Sequence, residues 1–209
     1  MSQPEKPDTA LWPSVTFILE TTGIADFSQI PNGDLYKQRG SDIHMICESI
    51  DLGEPDYWSD GELAGYAQAW EAFRRDTDFR PVLIETRVAH EQRRYKGRLD
   101  RAGYFGSGMD LVVLDLKGGI VAEWVRLQTA AYAACLPDLK KYDPQLPDTF
   151  LHPEKSKRCG VQLRKDGRYT ISAEYKDYRA DSNYFFSLVA TVHGRSLYGK
   201  TLIDDGDAA

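Results

Sequence analysis

The chain has 209 residues and a formal net charge of −6, with 42% hydrophobic and 28% charged residues. This length supports one sizeable hydrophobic core, and the composition is that of an ordinary globular domain. No apolar run approaches the roughly 18 residues that a membrane-spanning helix needs, so we expect no membrane span. The net negative charge disfavours a protein that simply coats nucleic acid.

The first residues and the cysteines bear on localisation. The start, MSQPEKPDTALWPS, has neither a basic beginning nor an apolar stretch, so we expect no signal peptide. Cys47, Cys135 and Cys159 stand alone without a CxxC spacing. This argues against a disulfide framework and against a zinc or iron–sulfur site, and it predicts a cytoplasmic protein.

The N-terminal part of the sequence predicts three helices. PSVTFILETTG predicts a short helix with Ser14 as N-cap and Gly23 at its end. LYKQRGSDIHMICESIDLG has helical spacing of apolar residues and a stop at Gly53. SDGELAGYAQAWEAFRR opens with a capping-box pattern, Ser59 to Glu62, before an amphipathic stripe.

The hydrophobic period then changes to that of strands. PVLIETRVAHE (81–91) and RRYKGRLDRAGYF (93–105) predict two strands, GSGM (106–109) a turn, and DLVVLDLK (110–117) a third strand. The order of helices, strands and further helices predicts an α/β fold with a central mixed sheet flanked by helices.

The C-terminal half returns to helical patterns. AEWVRLQTAAYAACL predicts a helix that ends before Pro137, and 137–158 predicts a long proline-containing loop without periodicity. VQLRKDGRYTISAEY predicts a hairpin that turns at Asp166 and Gly167, and SNYFFSLVATVHG predicts a last helix. We expect a single domain over 1–209, with flexible ends at 1–10 and 204–209.

The hairpin around GSGM predicts a charged cluster. A turn centred there places Asp100 opposite Asp115 and Arg98 opposite Lys117, and residues two apart along a strand share a face. Two facing carboxylates about 4 Å apart repel by roughly 1 kcal/mol in water and 4 near a protein surface. Lys117 alone could compensate as an ion pair, or a divalent cation such as Mg²⁺ or Mn²⁺ could do so. The geometry alone leaves both interpretations open.

Two helices offer further polar pairs at a spacing of four residues. Gln128 and Tyr132 share a face of the helix that follows Lys117, so they can lie over the carboxylates. His44 and Glu48 share a face of the second helix and can project toward a shared cation, although a lone helical histidine is more often structural. Glu48 is a possible outer-shell residue, and Glu85 on the first strand is a weaker candidate for an outer-shell or extra metal role.

Four segments, RGSDIHMICE, YKGRLDR, VVLDLKGG and LQTAAYA, occur in this order and resemble the motifs of the PD-(D/E)xK nuclease superfamily. The resemblance is closest to its RecB-like exonuclease branch of phages and prophages, and it extends from about Trp12 to the last helix. It implies a restriction-endonuclease-like core. Two features depart from the branch: Gly118 stands where threonine is usual, and three scattered cysteines exclude the variant with an iron–sulfur cluster.

The resemblance also implies roles for individual residues. The implied catalytic residues are Asp100, Asp115, Lys117, Gln128 and Tyr132. The implied ligands of Mg²⁺ or Mn²⁺ are His44, Asp100, Asp115 and the carbonyl of Leu116.

Positive charge is concentrated in one part of this acidic chain. Between Arg74 and Arg101 there are nine basic and five acidic residues, a local balance of +4, which fits either a solvated hairpin face or a phosphate-contacting surface. We predict phosphate contacts in this region and in the segment EKSKR, at Arg74, Arg75, Arg93, Arg94, Lys155, Lys157 and Arg158.

The function implied is a metal-dependent DNA exonuclease of phage-type recombination or repair. The alternative from another class is a catalytically inactive DNA-binding accessory protein with the same fold, and a sequence-specific endonuclease ranks below both. The implied partners are DNA and a recombination or single-strand annealing protein, and a homo-oligomer stays open.

Overall fold

Five strands form a mixed sheet in the computed structural model, which describes residues 6–26, 33–54 and 61–198. The elements of this described part are α1 (Val15–Thr21), α2 (Gly33–Leu52), α3 (Ala64–Thr77), β1 (Phe79–His90), β2 (Tyr95–Phe105), β3 (Val112–Lys117), α4 (Val125–Ala134), α5 (Leu136–Tyr142), β4 (Lys157–Leu163), β5 (Tyr169–Ile171) and α6 (Tyr178–Tyr198).

The strands lie in chain order, β1 to β5. Strands β1, β2 and β3 are successively antiparallel, β3 and β4 are parallel, and β4 and β5 are antiparallel. The predicted α/β class with a mixed sheet is therefore confirmed. Between β2 and β3 the Cα partners are Arg101 with Leu114 and Gly103 with Val112, which is the predicted register.

Helices cover both faces of the sheet. One core packs α1, α4 and α6 against the sheet, and the other packs α2 and α3 against the opposite face. Strand β3 alternates between them, because Val113 belongs to the first core and Val112 and Leu114 belong to the second. This alternation places Asp115 and Lys117 on the α4 side of the sheet.

The predicted helix boundaries at α1 and α2 are confirmed. The Ser14 side chain caps α1 by accepting a hydrogen bond of 3.1 Å from the Phe17 backbone N–H. Gly23 and Gly53, which follow the two helices, have left-handed φ angles of 75° and 68° that glycine adopts without a Cβ clash.

The start of α3 differs from the capping-box prediction. The helix begins at Ala64 with Leu63 at the N-cap, and no side chain caps it. Glu62 therefore precedes the helix, and Ser59 lies outside the described residues. The amphipathic stripe decides where this helix packs, whereas the polar pattern upstream does not decide where it begins.

The segment 137–158 is not the single long loop that was predicted. Pro137 lies in the first turn of α5, and two short 3-10 helices follow at Asp148–Leu151 and Pro153–Lys155. Proline fits the first turn of a helix because its missing N–H would have no intrahelical partner there. Pro137, Pro147 and Pro153 lie at the starts of these three short helices, whereas Pro144 lies in a turn.

The predicted C-terminal hairpin is confirmed, with Gly167 at φ 80° in its turn, and the predicted last helix is the longer α6. Near the N-terminus, Lys96 Nζ donates hydrogen bonds to the Thr9 and Ala10 carbonyls at 2.8 and 3.0 Å. Residues 1–5 and the tail 204–209 lie outside the described residues. Within the described part, no helix is long and apolar enough to cross a bilayer.

Candidate metal and phosphate site

Three carboxylates lie side by side on the first three strands. Glu85 falls between the Cα pairs Ile84–Arg101 and Thr86–Leu99, which places it opposite Asp100. Extending the β2–β3 register by one residue places Asp100 opposite Asp115. The Glu85 backbone has a left-handed φ of 43°, which is uncommon for a residue other than glycine.

Two glycines after β3 allow helix α2 to approach this sheet edge. A Cβ at Gly118 would overlap the Ile43 side chain, and one at Gly119 would overlap the Tyr36 hydroxyl. Because the two glycines after Lys117 have no side chains, α2 can pack directly against the backbone at the end of the strand. This packing brings His44 to the carboxylates.

His44 contacts two of the carboxylates and the backbone of β3. Its Nδ1 lies 2.9 Å from Glu85 Oε1 and 3.7 Å from Asp100 Oδ1, and its Nε2 lies 3.2 Å from the Leu116 carbonyl oxygen. Burial alone would lower the pKa of His44, but the charge of Asp100 and the hydrogen bond and charge of Glu85 raise it from 6.5 to about 9. In this arrangement His44 is a cation that donates from both ring nitrogens.

Asp115 and Lys117 form an ion pair. Lys117 Nζ lies 2.6 Å from Asp115 Oδ2 and 5.4 Å from the centroid of the Trp124 ring. Complete burial raises the pKa of Asp115 to about 6, with Lys117 opposing and Asp100 adding to that shift. Burial lowers the pKa of Lys117, but Asp115 and Asp100 outweigh it and leave that pKa raised. Asp115 Oδ1 is buried and has no hydrogen-bond partner among the described residues.

Asp100 is fixed by the backbone of the next strand. Its Oδ2 accepts a hydrogen bond of 2.7 Å from the Leu116 N–H, and its side chain is buried. Only Oδ1 is therefore turned toward His44. The carboxylate is held with one oxygen bound and the other available to a cation.

Gln128 and Tyr132 of α4 lie beside Asp100. Gln128 Nε2 donates to the Tyr132 hydroxyl at 3.1 Å. Burial and the charge of Asp100 raise the pKa of Tyr132 well above its ordinary value, so the phenol stays neutral. No hydrogen bond in the described part of the chain joins this pair to Lys117.

A fully buried arginine supports the cluster from the other core. Arg101 donates to Glu85 Oε1 at 2.7 Å, to Asp51 Oδ2 at 2.5 Å and to the Asp100 carbonyl at 2.6 Å. Trp70 Nε1 also donates to Asp51, at 3.0 Å. The sequence analysis missed Arg101 and Asp51, and nothing in their local pattern distinguishes them from surface charges.

The side chains whose potential metal-ligating atoms lie closest together are not the same as the predicted metal ligands. One ligand atom from each of His44, Glu85 and Asp100 lies within 4.8 Å of the others. Glu85 is therefore at the centre of the cluster and not at its edge. The Leu116 carbonyl, a predicted ligand, accepts from His44 here, so both of these atoms must exchange partners before they could bind a metal.

Carboxylate oxygens are the ligands that Mg²⁺ and Mn²⁺ prefer. Asp115 Oδ1, which is buried without a hydrogen-bond partner among the described residues, and Asp100 Oδ1, which faces His44, are suitable ligands for such an ion. Glu48, predicted in an outer role, lies at the rim, with its Oε2 3.7 Å from Arg98.

Two of the residues predicted to contact phosphate are bound by other groups of the protein. Arg158 is completely buried and donates to the Arg126 and Tyr175 carbonyls and to Asp181. Arg74 forms an ion pair of 3.2 Å with the buried Asp51. Both guanidinium groups connect elements inside the protein. Clusters of positive charge in a sequence do not distinguish buried arginines that bind carbonyls from exposed ones.

The other predicted contacts are exposed but lie away from the carboxylates. The carboxylate cluster opens into a cleft of about 1690 Å³, and none of the seven predicted residues lines it. Arg93 and Arg94 line a separate depression of about 320 Å³. The remaining exposed members of the predicted set are Arg75, Lys155 and Lys157.

A different set of basic side chains borders the cleft. Lys37 and Arg39 come from α2, and Arg87 and Arg98 come from the β1–β2 hairpin. Pairing the first hairpin about its own turn, as was done for the second, would have identified Glu85, Arg87 and Arg98 from the sequence. The turn between β1 and β2 is therefore the sequence feature that indicates these facing positions.

The sequence matches no protein-family model, and no curated protein sequence is significantly similar to it. The chemistry of the site is therefore interpreted from its geometry.

Proposed function

We propose that this protein is a Mg²⁺- or Mn²⁺-dependent deoxyribonuclease that hydrolyses phosphodiester bonds. The observation that carries the proposal is the convergence of Asp100, Asp115 and Lys117 at the end of neighbouring strands, where Asp100 and Lys117 line a large cleft bordered by basic side chains. The order of the motifs and their resemblance to PD-(D/E)xK nucleases support the same activity.

Asp100 and Asp115 would hold the metal ion, with Glu85 and His44 beside them. The chemistry that such an ion supplies when bound is neutralisation of the phosphate charge and a lower pKa for a coordinated water. Burial and the charge of Asp100 raise the pKa of Asp115, and a bound cation would offset the cost of holding that carboxylate ionised.

Lys117 would act as an ammonium group. Because its pKa is raised, it keeps its proton at neutral pH and cannot accept one from water. Its place beside Asp115 suits it to position the attacking water and to stabilise the negative charge that develops on the phosphate. Asp115 holds the ammonium group in position for both tasks.

Tyr132 and Gln128 would contact the DNA backbone near the cut. The neutral Tyr132 hydroxyl accepts from Gln128 and still has a proton to donate to a phosphate oxygen. Tyr132 and Gln128 both line the cleft, so a bound strand can reach them.

Exonuclease action in phage-type recombination is the finer part of the proposal. It rests on the resemblance to the RecB-like branch, from which a recombination or single-strand annealing partner also follows. The described residues form one sheet with its covering helices and no separate unit that could read a DNA sequence, which favours an exonuclease over a sequence-specific endonuclease.

Replacement of Lys117 tests the proposal. With purified protein, DNA and Mg²⁺ or Mn²⁺, we expect Lys117→Ala to reduce cleavage by at least about 10²-fold while DNA binding is largely retained. Lys165→Ala, which removes an exposed lysine from the β4–β5 turn, is the matched control and should cleave normally.

Equal cleavage by Lys117→Ala and the unsubstituted protein would refute the assignment. DNA binding without any divalent-dependent cleavage would instead support the alternative function, an inactive DNA-binding accessory protein. The ion pairs of Asp115 with Lys117 and of Glu85 with His44 are the observation that keeps this alternative in view, because they balance the carboxylates without a metal.

A further inference from the structure

Two arginines face each other across the β1–β2 hairpin at the wall of the cleft. Arg87 and Arg98 are direct Cα partners in the antiparallel register, and both side chains are exposed and line the cleft. Like charges directly opposite each other on neighbouring strands destabilise a sheet. A pair of this kind therefore needs compensation from another group.

Among the residues that the structure describes, only one of the two arginines receives that compensation. Arg98 Nε lies 2.9 Å from Glu85 Oε2, and its NH2 group lies 3.7 Å from Glu48 Oε2. The Arg87 side chain has no ion pair or hydrogen bond within the described ranges. With respect to the described side chains, Arg87 is thus a cation without an ion-pair partner, and it lies beside a second cation in the cleft.

The pair lies close to the carboxylate cluster. Arg98 contacts Glu85, and the same carboxylate contacts His44. Arg98 precedes Asp100 by two residues on β2, a displacement of about 7 Å along the strand. A phosphate held by the arginines would therefore neighbour one held at Asp100 and Asp115.

We propose that Arg87 and Arg98 form a phosphate-binding site for the nucleic-acid strand, next to the phosphate that is cut. A guanidinium group binds phosphate oxygens through paired, charge-assisted hydrogen bonds, and two such groups match one phosphodiester. This inference rests on the proposed nuclease function for the identity of its ligand. It assigns strand binding to the hairpin and not to the basic residues that the sequence suggested.

Arg87 is the residue to test, because Arg98 also holds Glu85 and its loss would disturb the carboxylates. Binding of a short fluorescein-labelled DNA duplex and single strand is measured by anisotropy over a range of NaCl concentrations. Cleavage is prevented in two ways: by the Lys117→Ala substitution in the presence of Mg²⁺, or by EDTA in the protein that keeps Lys117. Agreement between the two measurements shows that the effect on binding is not caused by the Lys117 substitution or by the missing ion.

We expect Arg87→Gln to weaken binding by about threefold to tenfold at moderate salt and to reduce the slope of log affinity against log salt by about 0.7–0.9, the value for one lost phosphate contact. Arg168→Gln is the matched control, since Arg168 is exposed and pairs with Asp166 in the β4–β5 turn. It should leave the slope unchanged.

Cleavage by Arg87→Gln with Lys117 intact separates this inference from the proposed function. We expect a raised KM with little change in kcat, because the contact is made equally before and during the reaction. An unchanged salt slope and KM in a protein that cleaves DNA would overturn the phosphate site alone. A reduced slope in a protein that never cleaves would overturn the nuclease proposal and retain the phosphate site.

Discussion

The charge on His44 follows from its neighbours. Its imidazole touches Glu85 on one side and the Leu116 carbonyl on the other, and Asp100 lies 3.7 Å from it. Two carboxylates and a carbonyl all favour the protonated ring, so the raised pKa has a direct structural cause. In the absence of a metal, His44 therefore acts as an internal counterion for the cluster.

This charge predicts how the stability of the metal-free protein depends on pH. Because the folded-state pKa of His44 is about 9 and its ordinary value is 6.5, its contribution to stability is complete below pH 6.5 and is lost as the pH rises through 9. A shift of this size corresponds to roughly 3 kcal/mol. Urea unfolding in EDTA across this range measures the loss.

The variant His44→Gln isolates the effect from other groups that titrate in alkaline solution. Its free energy of unfolding should be lower at pH 6.5 and should converge toward that of the unsubstituted protein near pH 9. His152→Gln, at a half-exposed histidine beside Glu154, is the control. Parallel curves for His44→Gln and the unsubstituted protein would contradict a charged His44.

At the scale of elements, the site depends on how closely helices α2 and α4 approach the sheet. Gly97 on β2 provides the approach for α4, because a Cβ there would lie 2.5 Å from Tyr132 Cε1. The aromatic ring thus packs against the backbone of β2, the strand that carries Asp100. The glycine in the motif YKGRLDR sets the depth of Tyr132 in the cleft.

Replacement of this glycine should displace Tyr132. We expect Gly97→Ala to destabilise the protein by about 1–3 kcal/mol, since an added methyl group in a packed contact forces its neighbour to move. DNA cleavage should fall as well, because the Tyr132 hydroxyl leaves its place beside Asp100. Thermal unfolding and a cleavage assay provide the two readouts.

Gly194→Ala is the matched control for this prediction. Gly194 lies within α6, and a Cβ there would meet nothing within 4 Å. Alanine at a helical position without contacts should stabilise the protein by roughly 0.5–1 kcal/mol. Equal stability changes for the two substitutions would show that the contact between Gly97 and Tyr132 is unimportant.

At the scale of the whole molecule, the carboxylate cluster joins three strands to a helix that is distant in the sequence. Glu85, Asp100, Asp115 and His44 come from β1, β2, β3 and α2 respectively. A ligand that bridges these elements binds the folded chain and not the unfolded one. Metal binding should therefore be visible in global stability.

We expect Mn²⁺ or Mg²⁺ at about a hundred times its dissociation constant to stabilise the protein by about 2.7 kcal/mol. For a chain of this length the melting temperature should rise by roughly 5–10 °C. Differential scanning calorimetry with and without the ion measures the rise, and no DNA is required.

Asp100→Asn should abolish the metal-dependent rise. The amide oxygen can still accept the hydrogen bond from the Leu116 N–H, so we expect this variant to fold. Asp148→Asn, at an exposed aspartate that pairs with Lys140, is the control and should keep the full rise. A rise of the same size in both variants would place the ion elsewhere.

Some elements of the chain could be predicted from the sequence and others could not. The β2–β3 register and the helices α1 and α2 were predictable because turn residues and hydrophobic periods specify them locally. The start of α3 and the helical turns within 137–158 were not, because packing against the sheet selects them over weak local signals. Arg158 was placed on the surface by its charge alone and is in fact buried.

The sequence by itself determined the alternating strands, the Asp-Leu-Lys end of β3 and the spacing of Gln128 from Tyr132, because period and turn chemistry act over short distances. Only the tertiary structure decided that His44 of α2 reaches the carboxylates, that Arg101 supports them from the opposite core and that a cleft opens beside Arg87 and Arg98. Those relations depend on which elements pack against each other and on which charges are buried, and neither property is encoded in any one segment.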